Sequence, residues 1–264
     1  MKYNINMKLK DIPKVFVINL PDRVDRKANV IKTFKDYGIT NYSFVPGVYS
    51  DTIYSDDNIS NNMIIGKTFN AGHTNKESSL TQQAVMIAHI NAIKEWVAEN
   101  SDEEYAIIME DDVSFYPVDR WNWTWSEFQS RVPEQADIVQ LCILKIDPKE
   151  YSKIKFEHRV RRSDYASAAA YLISKSYAKE LLSRHTRDSK YVFEAPAGMN
   201  SVADELLYDS DNAYACPLFL FDDSSGSSQT LKEHLDAVHY PAKMHMIELW
   251  NNIGKATLDD IWNR

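Results

Sequence analysis

Three consecutive acids, Glu110, Asp111 and Asp112, close the apolar run AIIM at 106–109. Ile107, Ile108 and Met109 are core-type residues, whereas three adjacent carboxylates repel one another unless water or a cation intervenes. Hard oxygen donors crowded at a strand end suit Mg²⁺ or Mn²⁺, which take carboxylates together with substrate phosphates. A solvated turn that merely ends a strand accounts for the same residues, so locally both readings stand.

Other residue groups have two readings of the same kind. In INLPDRVDRK (18–27), Arg23, Arg26 and Lys27 follow Asn19 and Leu20. Arginines at a helix start could pair with phosphate, but Asp22 and Asp25 have capping-box character and the basic residues could simply face water. Asp204 lies three residues after Ser201, again at capping-box spacing, so helix capping competes with acid–base work. His89, one turn from Met86 and Ile93, reads as a partly buried structural histidine. Ser227 and Gln229 belong to SSGSSQ (224–229), which could hold phosphate through backbone N–H groups or be an ordinary loop. Trp121, Trp123 and Trp125 alternate in WNWTW; indole faces stack on sugars, but burial is the commoner use of tryptophan.

The elements that must position these groups follow from periodicity. KVFVINL (14–20) predicts a strand. A helix follows from Asp22, with Val24, Ala28, Ile31 and Phe34 on one face and Gly38 as its stop. YSFVPGV (42–48) is a second strand, so the first 48 residues contain a βαβ unit and imply a parallel sheet. Residues 49–78 read as a long loop. A helix over 80–99, with a stripe of Met86, Ile90, Ile93 and Val97, leads into the strand 105–109 and the acids. Further strands are expected at 137–144 and 213–221, an antiparallel piece near 153–162, and the run 165–174 precedes a helix over 176–185. A short helix is expected at 202–209, and beyond 224 a less regular C-terminal extension. The simplest organisation is one α/β domain over 1–264. In such sheets ligands bind beyond the carboxyl ends of the strands, which is where the three acids fall.

With 264 residues, 44% of them hydrophobic, and only seven glycines and nine prolines, the chain can build a sizeable core. A net charge of -8 argues against a nucleic-acid partner. Cys142 and Cys216 sit in apolar surroundings and suit a reducing compartment. No signal-peptide pattern or membrane span is read from the sequence, so the expectation is a cytoplasmic protein whose membrane contact, if any, is peripheral.

Taken in order, four segments resemble glycosyltransferase family 25, which includes lipopolysaccharide and collagen galactosyltransferases. VFVINLPDRVDRK is similar to the family's opening strand and Arg-containing turn. QQAVMIAHINAIKEWVAENSDEEYAIIMEDDVSF is similar to its helix with a His-containing turn, apolar strand and EDD motif. AAAYLISKSYAKELL resembles its small-residue, Tyr-strand and helix segment. ADELLYDSDNAYACPLFLF with SSGSSQ resembles its late Asp helix, Pro-containing strand and serine-rich loop. The resemblance spans roughly residues 14–230. The sequence departs from the family pattern at Ala84, Val85 and Ala88 before His89, where Gly, Cys and Ser are usual, and at Ala168 to Ala170, where Gly-Thr is expected. Its ending, DDIWNR, lacks the retention tetrapeptide of the collagen enzymes.

The resemblance implies a GT-A-like nucleotide-sugar-binding fold, a mostly parallel central sheet flanked by helices. It implies a UDP-sugar donor, a glycan or hydroxylated acceptor, a Mn²⁺ or Mg²⁺ ion, and transfer of a hexose with inversion. In that scheme Asp204 is the base, Asp112 the direct metal ligand, and Glu110 a second ligand or a neighbour of the ribose. Asn19, Leu20, Arg23, Arg26 and Asp111 lie on the donor side, with Asp111 turned away from Asp112 if the pleat continues. Ser227 and Gln229 close over the diphosphate or donor sugar, and His89 packs near the site. Trp121, Trp123 and Trp125 are the acceptor platform. The alternatives are a catalytically silent module that binds glycans through its tryptophans and, with less support, a metal-dependent phosphoryl-transfer enzyme.

Overall fold

Val15–Asn19 (β1) is buried along its whole length. Its residues alternate between two apolar clusters, Val15 and Val17 in one and Phe16 and Ile18 in the other. Alternation is the period of a strand, and burial on both faces marks a strand covered on each side. The chain returns through Val24–Tyr37 (α1), which ends at Gly38, where φ is 74°, a left-handed conformation that glycine adopts without strain. Tyr42–Pro46 (β2) then pairs in parallel with β1, from Val15↔Tyr42 to Asn19↔Pro46. The expected βαβ unit is present.

A computed structural model of the chain describes residues 8–55, 62–70, 76–99, 101–145, 151–159, 165–196, 199–222 and 238–262. After β2 come Thr52–Ser55 (α2), Met63–Ile65 (β3), Lys76–Ala98 (α3), Tyr105–Glu110 (β4) and Val113–Ser114 (β5). Trp125–Gln129 (α4), Ile138–Cys142 (β6), Leu144–Lys145 (β7), Glu157–His158 (β8), Tyr165–Ala166 (β9) and Ala170–Ser174 (β10) follow. Lys175–His185 (α5), Thr186–Arg187 (β11), Lys190–Phe193 (β12), Ala203–Leu206 (α6), Ala213–Phe221 (β13), Tyr240–Ile253 (α7) and Leu258–Trp262 (α8) complete the described strands and α-helices, and Tyr116–Arg120 is a 3₁₀ helix.

The main sheet has the order β2-β1-β4-β10-β6-β13-β5, with β8 paired to β13. β2, β1 and β4 are parallel, as are β6 and β13. Between them β10 runs antiparallel to both neighbours, so β4 and β6 point the same way. This is an α/β fold with a mostly parallel sheet, and β8 is the expected antiparallel piece. One face packs against α3, α5 and α6, and the other against α1, a tryptophan cluster, α7 and α8. Within the expected long loop, β3 joins β12 and β11 in a separate three-stranded sheet.

Three expectations need correction. The buried face of α1 carries Arg26, Val30 and Phe34, whereas Val24 and Ile31 are 70% and 42% exposed. The stripe is rotated because Arg26 finds buried carboxylate partners, described below, that let a charged residue take a core position. The C-terminal extension is not irregular in its described part. Ala242, Met246, Leu249 and Trp250 form the buried stripe of α7, the Trp250 indole N–H donates to the Pro217 carbonyl over 3.1 Å, and Trp262 of α8 stacks on Phe156 with centroids 4.5 Å apart. Finally, Trp121, Trp123 and Trp125 are at most 1% exposed. Trp121 and Trp123 stack at 5.3 Å and Trp125 lies parallel to Phe219 at 6.4 Å, so they are core and offer no face to an acceptor sugar. The silent glycan-binding reading through these tryptophans loses its surface with them.

Candidate active site

Glu110 is the last residue of β4, and its N–H donates to the Ala169 carbonyl over 2.8 Å, ahead of β10. The chain then turns at Asp111 and Asp112, and the pleat stops. Both carboxylates converge on Arg26: Nη1 lies 2.8 Å from Asp111 Oδ1 and 2.9 Å from Asp112 Oδ2. Asp111 is therefore not turned away from Asp112. The Asn19 amide donates to Asp111 Oδ2 over 2.6 Å and to the Arg23 carbonyl over 3.2 Å, tying the end of β1 to the acids. Arg23 itself pairs with Asp25 over 2.8 Å. The two capping boxes suggested by sequence do not form: α1 starts after Arg23 and α6 after Val202, each without a side-chain cap. A capping box does form elsewhere, between Thr124 and Glu127 at α4.

Asp112 is nine-tenths buried, and burial, followed by the charge of Glu110, pushes its carboxyl well above the ordinary range despite the pull of Arg26. Arg26 shows the opposite balance. Burial works against its charge, but Asp112 and Asp111 outweigh that and hold its pKa up. Only one oxygen of Asp112 is engaged by Arg26; Oδ1 is buried with no hydrogen-bond partner among the described residues.

Glu110 leaves 28% of its side chain accessible, yet its carboxyl sits in a walled recess. Burial, then the charges of Asp204 and Asp111, raise it to about 7. His89, in the middle of α3 and fully buried, places Nε2 3.3 Å from Glu110 Oε1 and Nδ1 3.1 Å from the Tyr171 hydroxyl. Burial lowers its pKa to about 4, so at neutral pH the ring is uncharged. With Glu110 ionised, the consistent assignment has Nε2–H donating to Glu110 and the Tyr171 hydroxyl donating to Nδ1.

Asp204 lies in the first turn of α6. Burial raises its pKa, and the backbone at Ser167 and Ala168 together with the Arg159 guanidinium oppose that rise. The start of β10, α6 and α3 thus converge on the carboxyl edge of β4.

Beneath the acids, Ile18, Leu20, Gly47, Val48, Thr81, Ala84, Val85, Ala88, His89 and Arg26 enclose a pocket of about 130 Å³ with Glu110, Asp111 and Asp112. It opens beyond the carboxyl ends of β1, β2 and β4. A larger recess of about 320 Å³, bounded by residues such as Lys153, Leu249 and Asp260 near α7 and α8, gathers no comparable set of catalytic groups.

Residues 12–192 match the model of glycosyltransferase family 25, described as an LPS biosynthesis protein family. The chain belongs to glycosyltransferase family 25. No curated protein matches it. Among solved structures it is similar to a glycosyltransferase involved in glycosylation of the major capsid of PBCV-1, with 9% identity over 90% of this chain and 99% of the other, and a TM-score of 0.45. The inositol-1-phosphate CTP transferase from T. maritima aligns at 13% identity over 93% and 98%, TM-score 0.37. The galactosyltransferase LgtC, solved with donor and acceptor sugar analogues, aligns at 11% over 90% and 95%, TM-score 0.34. These overlaps are loose, and the assignment rests on the family match.

In this glycosyltransferase the site residues expected from sequence divide clearly. Leu20, Arg26, His89, Glu110, Asp111 and Asp112 line one pocket, Asn19 braces Asp111, and Asp204 faces the same acids. Arg26 supports the acids from within the core instead of standing free as a phosphate ligand. Ser227 and Gln229 lie outside the described residues. Among the described residues no group of three or more His, Cys, Asp or Glu is arranged to hold a metal ion. Asp112, through its unpartnered Oδ1, and Glu110 are the oxygen donors that could share an ion with a phosphate-bearing ligand.

Sequence reasoning missed a polar layer behind Asp204. Gln140, in the middle of β6 and fully buried, donates to the Ser167 carbonyl over 2.8 Å. Arg159 and Tyr208 reach the same region, with Tyr208 O–H 3.1 Å from the Ser167 carbonyl. The signal was Gln140: a polar residue in the otherwise apolar run DIVQLCIL must find partners inside the protein.

Proposed function

We propose that this glycosyltransferase moves a hexose, galactose or glucose, from a UDP-sugar to a hydroxyl of a glycan or other hydroxylated acceptor, with inversion. The observation that supports it best is the pocket that Glu110, Asp111 and Asp112 line beyond the carboxyl ends of β1, β2 and β4, with Asp204 close enough for its charge to raise the pKa of Glu110. The pocket receives the donor, with Leu20, Gly47 and Val48 as its apolar wall. The acceptor hydroxyl gives its proton to Asp204 as its oxygen bonds to the anomeric carbon. The bond from that carbon to the diphosphate oxygen breaks, and UDP leaves with the electron pair. An uncoupled carboxylate is a weak base, and a raised pKa brings Asp204 closer to the range useful near neutral pH. His89 orients Glu110 and brings no charge of its own. Mn²⁺ or Mg²⁺, held by Asp112 and Glu110, would supply charge neutralisation at the departing diphosphate.

A saccharide acceptor accords with the family's description. The two free, buried cysteines accord with a reducing compartment such as the cytoplasm, and no helix of the described residues is long and apolar enough to cross a membrane. A screen of UDP-, GDP- and CMP-sugars with and without Mn²⁺ tests the reading, with the anomer of the product read by NMR. A UDP-hexose should turn over only with metal and give the inverted product. Turnover of no nucleotide sugar, or retention of configuration, would overturn it.

A further inference from the structure

The polar layer behind Asp204 closes into a ring. Arg159 Nε donates to Gln140 Oε1 over 2.9 Å, and this fixes the amide so that its nitrogen faces the Ser167 carbonyl at 2.8 Å. Tyr208 O–H donates to the same carbonyl. Ser167, gripped in this way, holds a φ of 102°, a conformation costly for any residue but glycine. Arg159 Nη2 completes the circuit at the Asp204 backbone carbonyl, 3.0 Å away.

Arg159 is only 3% exposed, lies over the Tyr208 ring at 4.3 Å, and makes no ion pair with a carboxylate among the described residues. Burial works against its charge, and the nearby carboxylates of Asp204 and Glu205 offset that only in part. Its retention inside the sheet asks for a role that bare packing would not give. Arg159 does not line the donor pocket, so it is not a donor contact.

We propose that Arg159 is a positioning residue for transfer: through the Asp204 main-chain carbonyl and the Gln140–Ser167–Tyr208 layer it fixes where α6 holds Asp204. The inference rests on Asp204 as the base. Arg159 touches neither substrate nor reacting atoms. It acts by holding the main chain of Asp204, and a misplacement of about 1 Å in such a group costs on the order of 100-fold in rate.

The test compares Arg159→Met, Arg159→Lys and Tyr208→Phe in the full chain, measuring kcat and KM for UDP-galactose or UDP-glucose and UDP affinity by calorimetry. Arg159→Met should lower kcat by about 10- to 100-fold while donor KM and UDP affinity stay at wild-type values. Arg159→Lys, which keeps the charge and a donor, should recover part of the loss. Wild-type kcat in Arg159→Met, or a parallel fall of UDP affinity, would overturn the proposal. Should Arg159→Met fail to fold, Tyr208→Phe decides: it loosens the Ser167 carbonyl without touching the charge and should lower kcat several-fold at constant UDP affinity, whereas wild-type kcat would overturn the proposal. Asp204→Asn separates the two levels. If it stays active, the base assignment falls; if it is inactive while Arg159→Met is not, only the positioning role falls.

Discussion

Arg26 donates to Asp112 Oδ2 across 2.9 Å, and the other oxygen of that carboxylate is buried without a partner among the described residues. One side of Asp112 is thus committed to the fold, and the other is the side that the proposed ion would use. Arg26→Met leaves Asp111 and Asp112 uncompensated in the core. Removing one member of a buried ion pair costs about 3–5 kcal/mol, so urea unfolding should show a loss of that size. The loss should shrink in acid as the carboxylates take up protons. An unchanged midpoint would show that Arg26 is not holding the acids.

Asp112→Ala keeps the Arg26–Asp111 pair and removes the free oxygen. Metal-dependent turnover of UDP-hexose should fall at least 100-fold, with the far-UV spectrum unchanged. Equal activity in the variant would remove Asp112 from any metal site.

The pH dependence of stability follows from two groups that oppose each other. Glu110 is an acid whose folded pKa, about 7, lies above its ordinary 4.5, so its contribution is complete below 4.5 and disappears as pH rises through 7. His89 is a base whose folded pKa, about 4, lies below its ordinary 6.5, so its contribution is present above 6.5 and disappears as pH falls toward 4. Between about 4.5 and 6.5 the two largely offset. Glu110→Gln should therefore lose stability more steeply than wild type on acidification over that range, and it should lack the wild-type decline between pH 6.5 and 8. Thermal melts of the metal-free proteins read both slopes. Parallel wild-type and variant curves would contradict the linkage.

Trp123→Ala tests the burial of the tryptophans. A fully buried indole replaced by a methyl group costs about 3–5 kcal/mol, so the variant should unfold earlier. At a temperature where it is still folded, acceptor KM should equal that of wild type. A selective rise in acceptor KM without loss of stability would restore the sugar-platform reading.

Much of the fold was legible because apolar period and length coincide. KVFVINL, the βαβ return and the strand that runs into the acids could be placed from spacing alone. The site was legible where chemistry is local, as at Glu110 to Asp112. What was not legible depends on partners far away in sequence. Arg26 occupies a core stripe because two acids some eighty-five residues on accept its hydrogen bonds. Arg159 stands in the basic run HRVRR, within the stretch expected only as an antiparallel piece, and its sequence neighbours do not point to Gln140 or Tyr208. WNWTW fits an exposed ribbon and a buried turn equally well, and only the packing of Phe219 and the neighbouring indoles decides.

The reversal of β10 has a consequence for the polarity of the site. Strands that end at the pocket edge leave carbonyl oxygens there, which suit cations and would repel a carboxylate. Because β10 begins where its neighbour β4 ends, the segment leading into it reaches that same edge from the opposite direction, and its Ala169 carbonyl is taken up by the Glu110 N–H. One strand run backwards thus turns a carbonyl oxygen beside the acids into an internal hydrogen bond of the sheet.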